Sequence, residues 1–218
     1  MIDFCEKRVI IFSKFIICMT MKKTFFVFRH GQTDFNAKNI WQGAKINALL
    51  NDVGKQQAVE LGDRLVPLGI EIIYSSNMRR AIQTAMIVNQ KLDVPMFLSD
   101  GLQECNFGIA EGMPMDELQK LYPEEVRAVL YPTPQTWDSR YPGEKSESKH
   151  GVFDRVTGAL RKIASATNCK IIGISSHGGV ISSLLAGLGS YGLPLPNCCI
   201  AHIVYDSQKD EFSFVELF

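Results

Sequence analysis

The sequence predicts an α/β fold built on a largely parallel sheet, and three observations carry that expectation. Short apolar runs such as Phe25-Phe26-Val27-Phe28 and Ile171-Ile172-Gly173-Ile174 are what buried strands need. They alternate with amphipathic stretches in the order strand, helix, strand, helix, strand, which points to right-handed crossover units. Several of the runs stop abruptly at polar residues, and the carboxyl ends of strands in such sheets are where ligands bind.

In chain order, the first twenty residues stand apart. Val9-Ile10-Ile11-Phe12 and Phe15-Ile16-Ile17-Cys18 are interrupted by Ser13 and Lys14, too short and too charged for a spanning helix. Asp3 and Glu6 occupy what would be the positive region of a signal peptide, and no small-residue cleavage site follows. Residues 1–20 are therefore expected to be an extension, with translation starting near Met21; a weakly inserted anchor is the other reading. Residues 21–218 are expected to form one domain. The first strand ends at Arg29-His30-Gly31, and a polar loop with Trp41-Gln42-Gly43 at its centre covers Asn36 to Asp52. Ala58, Leu61, Leu65 and Leu68 recur at helical steps within Lys55–Leu68, punctuated by Pro67 and Gly69. A second strand covers Glu71–Ser76, Asn77 is expected to cap a helix over Met78–Leu92, and Val94–Leu98 makes a third strand. About residues 100–149 lies an irregular insertion with short helices near Asp116–Leu121 and Glu124–Leu130, of the kind that builds a substrate wall. A helix over Val152–Ala164, a strand over Lys170–Ser175, an apolar helix over Gly178–Leu188 and a hairpin of Cys199–Tyr205 with Glu211–Leu217 complete the chain.

Composition narrows the function. The 218 residues are 46% hydrophobic and 21% charged, with 23 basic against 23 acidic side chains, so no field draws the protein to nucleic acid or membrane. The six cysteines show neither metal-ligand spacing nor a Cys-x-x-Cys pair and read as small core residues of a reducing, cytoplasmic compartment. A small-molecule substrate fits this balance.

Four segments carry chemistry. At Arg29-His30-Gly31-Gln32-Thr33, a planar guanidinium beside an imidazole suits a phosphate, and Thr33 and Asn36 can donate into the same space. At Ser75-Ser76-Asn77-Met78-Arg79-Arg80, two arginines fall where the positive helix end repels them, a mismatch an anion would repair; Arg79 reads as a solvated surface residue. At Ser175-Ser176-His177-Gly178-Gly179, a strand delivers a histidine to a helix N-terminus whose glycines expose backbone N–H groups. Glu104-Cys105-Asn106-Phe107-Gly108-Ile109-Ala110-Glu111-Gly112 holds two acids, either of which the residues alone leave open as a surface carboxylate.

Taken in chain order, with the Glu104 segment third, the four segments resemble the histidine phosphatase superfamily, the phosphoglycerate mutase-like proteins. The resemblance rests on Arg29-His30-Gly31-x-Thr33-x-x-Asn36, the Ser-Ser-x-x-x-Arg80-Ala-x-Gln-Thr-Ala helix start, Glu104-x-x-Phe-Gly-x-x-Glu-Gly and Ser176-His177-Gly178-Gly179. It implies a three-layer α/β/α sandwich with a mixed, mostly parallel sheet. It also implies that His30 is the nucleophile of a phosphohistidine mechanism and that Arg29, Arg80 and His177 hold the phosphoryl oxygens. Glu104 matches the family's general acid; Thr33, Asn36, Gln42, Gly43 and the Gly178 N–H match the phosphate surroundings. No metal or other cofactor is implied.

The resemblance covers both mutases and phosphatases. Mutases carry Arg-His-Tyr-Gly after the catalytic Glu, whereas this chain has Cys105-Asn106-Phe107-Gly108, and its middle insertion is short. A short, open middle segment favours hydrolysis over return transfer, so the expectation is a phosphatase acting on a small phosphorylated metabolite. Mutase-type phosphoryl transfer and a non-catalytic phosphate-binding module are the alternatives. The loop Gln42-Gly43-Ala44-Lys45-Ile46-Asn47 and the stretch Ala110-Glu111-Gly112 depart from common phosphatase relatives, and Gly143 to Ser148 matches their Gly-Glu-Ser segment imperfectly. Lys45 and Arg140 are expected near the mouth, and the terminal hairpin edge or the loop near Trp41 is the expected contact of a homodimer.

Overall fold

The fold is built outward from β1 (Lys22–Arg29), in a computed structural model that describes residues 22–218. The expectations for residues 1–20 lie outside the described residues. After β1 come α1 (Asp34–Ala37), α2 (Asp52–Leu65), β2 (Ile72–Ser75), α3 (Arg79–Leu92) and β3 (Met96–Leu98). The insertion contributes α4 (Met115–Leu121) and α5 (Pro123–Leu130). Then follow α6 (Lys149–Ala166), β4 (Ile171–Ser176), α7 (Gly178–Gly187), β5 (Ile200–Asp206) and β6 (Glu211–Leu217).

The six strands form one sheet in the order β3-β2-β4-β1-β5-β6. β1 pairs parallel with β4, β2 parallel with both β3 and β4, and the hairpin β5–β6 adds two antiparallel strands beyond β1. Successive side chains of a strand point to opposite faces, and β1 shows what that does here. Phe25 and Val27 join Ile172, Ile174, Val156, Leu160 and Leu184 in one core, whereas Phe26 and Phe28 join Leu61, Leu65, Ile73, Ala85 and Val88 in another. The sheet is thus covered by α6 and α7 on one face and by α2 and α3 on the other, the expected three layers. Each fully buried Phe or Leu contributes about 1.5–3 kcal/mol of transfer free energy, which is why both faces of β1 must be apolar.

Local departures from the sequence reading have physical causes. The helix expected to reach Leu68 ends at Leu65, because Pro67 has no N–H to continue it, and a 3-10 turn over Val66–Leu68 closes on Gly69 at φ 67°. The expected loop after β1 begins with the short helix α1, whose N-cap is Thr33. Asn77 does not cap α3. Met78 occupies the N-cap without a side-chain bond, while the Asn77 amide spans Asp100 and Gln103 at 2.6 Å each. The Trp41 ring packs edge-on to Phe107 and Tyr141, at 5.2 and 6.0 Å between centroids, so it is committed to this chain's own core. Among the described residues the four cysteines are free thiols, and no helix is long and apolar enough to cross a membrane.

Candidate active site

Sheet register brings three polar residues to one edge. β4 lies between β1 and β2, with Arg29 opposite Ser176 and Ser75 opposite Ser175. The next residues along the three strands, His30, His177 and Ser76, therefore emerge side by side. Backbone bonds hold the arrangement: His30 N–H donates to Ser176 O at 3.0 Å and Ser76 N–H to Ser175 O at 2.9 Å. The two imidazoles meet edge to face, 5.2 Å between centroids. Gly31 then lets β1 leave the sheet, by close approach of two backbones, since a Cβ there would lie 2.3 Å from Gly54 O at the start of α2.

His30 is locked in one tautomer. Its Nδ1 lies 2.7 Å from Gly31 O, a pure acceptor, so Nδ1 carries the proton and Nε2 keeps its lone pair. Arg80 Nε–H donates to that lone pair at 3.2 Å. Burial, then the Arg80 and Arg29 charges, hold the His30 pKa well below 6.5, so the ring is neutral near pH 7. Arg80 is itself fully buried, and desolvation lowers its pKa to about 10, with Glu104 partly compensating. Its other nitrogens donate to Ile46 O at 2.6 Å and Gly43 O at 3.4 Å. The neighbouring Arg79 is exposed, as expected of a solvated residue.

His177 complements this arrangement. Its Nε2 is 2.8 Å from Ser76 Oγ, which also accepts the Met78 N–H at 3.3 Å. Among the described residues His177 Nε2 is the acceptor within reach of the Ser76 hydroxyl proton; with that hydroxyl donating, the imidazole proton lies on Nδ1. Nδ1 is buried without a protein partner, as is Arg29 Nε, whose guanidinium reaches Leu195 O through Nη1. Two buried donors in one cationic cluster therefore lack acceptors, a costly state unless an anion satisfies them. Burial and the Arg80 charge push the His177 pKa well below 6.5 as well.

Glu104 lines the cleft, 5% exposed. Its two oxygens accept N–H groups from Cys105 at 2.9 Å and Gly179 at 3.1 Å, which fixes the carboxylate against the start of α7. Arg29, His30, Glu104, Asn36, Gln42, Gly178 and Gly179 line a cleft of about 620 Å³. Arg80 and His177 underlie the cleft, packed against His30, and with it form the floor. Gly178 packs against the Arg29 guanidinium, where a Cβ would stand 3.2 Å from Nε.

The remaining expected pocket residues divide into two groups. Asn36 lines the cleft; its Oδ1 takes the Thr33 N–H and hydroxyl, both at 3.1 Å, which leaves its NH₂ end for a ligand. Thr33 is fully buried behind it, capping α1 and accepting Gln42 Nε2 at 2.6 Å, so its hydroxyl positions Asn36 and Gln42. Gly43 is likewise one step removed, holding Arg80 through its carbonyl. Glu111 clamps this loop, accepting N–H groups from Lys45 at 2.8 Å and Phe107 at 3.1 Å. The Lys45 and Arg140 side chains, expected at the mouth, instead reach Gly108 O and Ser146 O and do not line the cleft.

Several lining residues escaped the sequence reading. Asn197 Nδ2 donates to His30 O at 2.9 Å and approaches Asn36 Oδ1 at 3.5 Å. It lies 167 positions after His30, and its only signal is the turn Pro194-Leu195-Pro196-Asn197. Lys149 and Ser182 line the cleft with no motif to mark them. Ser148 and Glu147 explain the imperfect Gly-Glu-Ser match. Ser148 Oγ caps α6 by accepting the Gly151 N–H at 3.1 Å, and Glu147 grips Arg155 at 2.8 and 3.0 Å.

A sheet edge carrying two strand-end histidines, two arginines and a fixed glutamate defines a phosphoryl-binding α/β protein. The chain matches the family model of the histidine phosphatase superfamily, branch 1, over residues 25–217, and it belongs to that superfamily. It is 34% identical over 187 residues to the uncharacterized phosphatase PhoE of Bacillus subtilis, covering 83% of this chain and 88% of that one. It is 33% identical over 171 residues to a broad-specificity phosphatase of Saccharomyces cerevisiae, covering 75% and 69%. The crystal structure of a phosphoglycerate mutase from Bacillus anthracis superposes with a TM-score of 0.79 at 23% identity, over 90% of this chain and 93% of that one.

Proposed function

We propose that this chain is a phosphomonoesterase that hydrolyses a small phosphorylated metabolite in the cytoplasm through a phosphohistidine on His30 Nε2. The observation that carries the reading is the locked tautomer: Nδ1 tied to Gly31 O, with the Nε2 lone pair facing the Arg80 N–H. In the first step Nε2 attacks phosphorus in line, the ester P–O bond breaks, and Glu104 gives its proton to the leaving alkoxide. In the second, Glu104 takes a proton from water, the hydroxide attacks phosphorus, and the P–N bond returns its electron pair to His30. Arg29, Arg80 and the Nδ1–H of His177 neutralise the equatorial oxygens, and the Asn36 amide and Gly178 N–H complete the cradle. The named phosphatases among its relatives support hydrolysis. So does the stretch after Glu104: Cys105 is buried and Asn106 Oδ1 accepts the Gly108 N–H at 2.9 Å, and neither residue type offers a cation to a phosphoglycerate.

Turnover of p-nitrophenyl phosphate with and without EDTA, wild type beside His30→Ala, tests the proposal. Wild type should turn over equally in both conditions, and the variant should lose about 10⁴-fold or more. Equal turnover by His30→Ala, or loss of wild-type activity in EDTA, would overturn it.

A further inference from the structure

The cleft contains a cation that the phosphoryl chemistry does not use. Lys149, the first residue of α6, is 5% exposed and lines the cleft beside Glu104 and Phe107. Among the described residues its one hydrogen bond runs from Nζ to the neutral Ser182 Oγ at 2.8 Å. An ammonium carries further donors than that bond employs. Among the described residues no carboxylate forms a salt bridge with it: both Glu104 oxygens already hold backbone N–H groups, and Glu147 is taken by Arg155. Burial lowers the Lys149 pKa, with Cys105 and Glu104 pulling the other way. A buried cation served by one hydroxyl is costly to keep unless the bound state returns something for it.

Its position says what that is. Ser182 stands four residues beyond Gly178, one turn along α7, about 6 Å from the N–H that faces the phosphoryl group. A second anion on a short carbon skeleton would span this distance. We propose that Lys149, with Ser182, forms a subsite for a second anionic group on the substrate, a carboxylate or a second phosphate carried by the leaving alcohol. Phe107, Val129 and Trp41 line the same cleft and lower the local dielectric, which strengthens such a pair. Lys149 is then a specificity-determining residue, and the choice among phosphomonoesters is made at α6 and α7 rather than at the mouth. The subsite rests on the phosphomonoesterase reading for its substrate class.

The test compares matched pairs of esters: 3-phosphoglycerate with its uncharged amide, and propane-1,3-diol bisphosphate with the monophosphate. Wild type should favour the doubly anionic member of one pair at least tenfold in kcat/KM, and the pair that shows it names the anion. Lys149→Met should bring that ratio down to near one, a loss of about tenfold or more carried in KM. Ser182→Asp gives the ammonium an internal carboxylate and should abolish the same preference in a chain that keeps its lysine. No preference in wild type for either pair, or equal losses for both members in Lys149→Met, would overturn the proposal; the latter result would make Lys149 a positioning residue for Glu104. Calorimetric binding of the same pairs to His30→Ala reads the ratio without turnover, so the subsite is tested even in a chain that hydrolyses nothing.

Discussion

The floor and the wall of the cleft are built on different principles. The floor comprises His30, Arg80, His177 and Ser76, none more than 2% exposed, set by strand register and backbone hydrogen bonds. The wall comes from the end of α5 and from the connection after α7: Leu130, Tyr131, Leu193 and Pro194, with Tyr131 63% exposed. A group held by a sheet edge cannot shift without breaking strand pairing, whereas one on a connection can be exchanged at small cost. The contrast assigns chemistry to the floor and the accommodation of a leaving group's bulk to the wall, while Lys149 reads the leaving group's charge.

The largest effects should therefore come from the floor. Arg80→Met removes a cation beside the reacting nitrogen and leaves the Gly43 and Ile46 carbonyls without their donor. A loss of about 10³–10⁵ in kcat is expected, the scale of a guanidinium that stabilises a phosphoryl transition state. A loss below tenfold would show that Arg29 and His177 suffice. Glu104→Gln keeps the shape but can neither give nor take the proton, so kcat should fall about 10²–10⁴-fold with KM nearly unchanged. Activated esters with good leaving groups should lose less in the first step, and an equal loss across leaving groups would remove Glu104 from the role of acid.

Gly179→Ala disturbs the acid beside the floor without replacing a reacting group. A Cβ at Gly179 would stand 2.5 Å from Glu104 Oε1, 2.8 Å from Cys105 Sγ and 2.9 Å from the Phe107 ring. Something must move, and the carboxylate is the group on which α7 and the Glu104 loop converge. A fall of about 10²-fold in kcat is expected, with about 1–3 kcal/mol of lost stability from overpacking. Unaltered kcat at reduced stability would show that the loop yields and the acid keeps its place.

The same division explains what could be read from the chain. Strand ends are legible because an apolar run that stops at Arg-His or Ser-His is costly without a ligand, and Arg80 is marked by its place in a first helical turn; each signal is weak alone, and it is their order along the chain that singles out Arg29, His30, Arg80 and His177. The three layers are legible for the same reason, since Phe25 to Phe28 is apolar on both faces. Thr33 and Gly43 sit next to the site in sequence but one step behind it in space, because capping α1 and holding Arg80 use up their polar groups. Lys149 and Asn197 are illegible for the opposite reason: each reaches the cleft through partners 33 and 167 positions away, and no local pattern records such a contact.

Acid sensitivity should also belong to the floor. His30 and His177 are the histidines whose pKa values burial and the arginines hold well below 6.5, while the unfolded chain titrates near about 6.5. As pH falls below that value the unfolded state takes up protons that the folded state refuses, so stability falls with falling pH; above about pH 7.5 neither histidine contributes. Each adds up to about 1.4 kcal/mol per pH unit within that window. Denaturant melts from about pH 7.5 down to pH 5 should show the loss, and His177→Gln should reduce its slope by one histidine's share. An unchanged slope in the variant would mean that His177 is protonated in the folded state.

The smallest effect should come from the lip of the wall. Tyr131 is largely solvated, so Tyr131→Ala removes little buried surface and no bond to the floor. With p-nitrophenyl phosphate kcat should stay within about threefold of wild type, as is usual for exposed positions away from the chemistry. With bulkier leaving groups that reach the lip, KM should rise by a few-fold while kcat holds, because a contact made equally in ground and transition states changes KM alone. A fall in kcat for the small ester comparable to that of Gly179→Ala would erase the distinction between floor and wall, since it would mean that the connection after α5 helps to place Glu104 or His30.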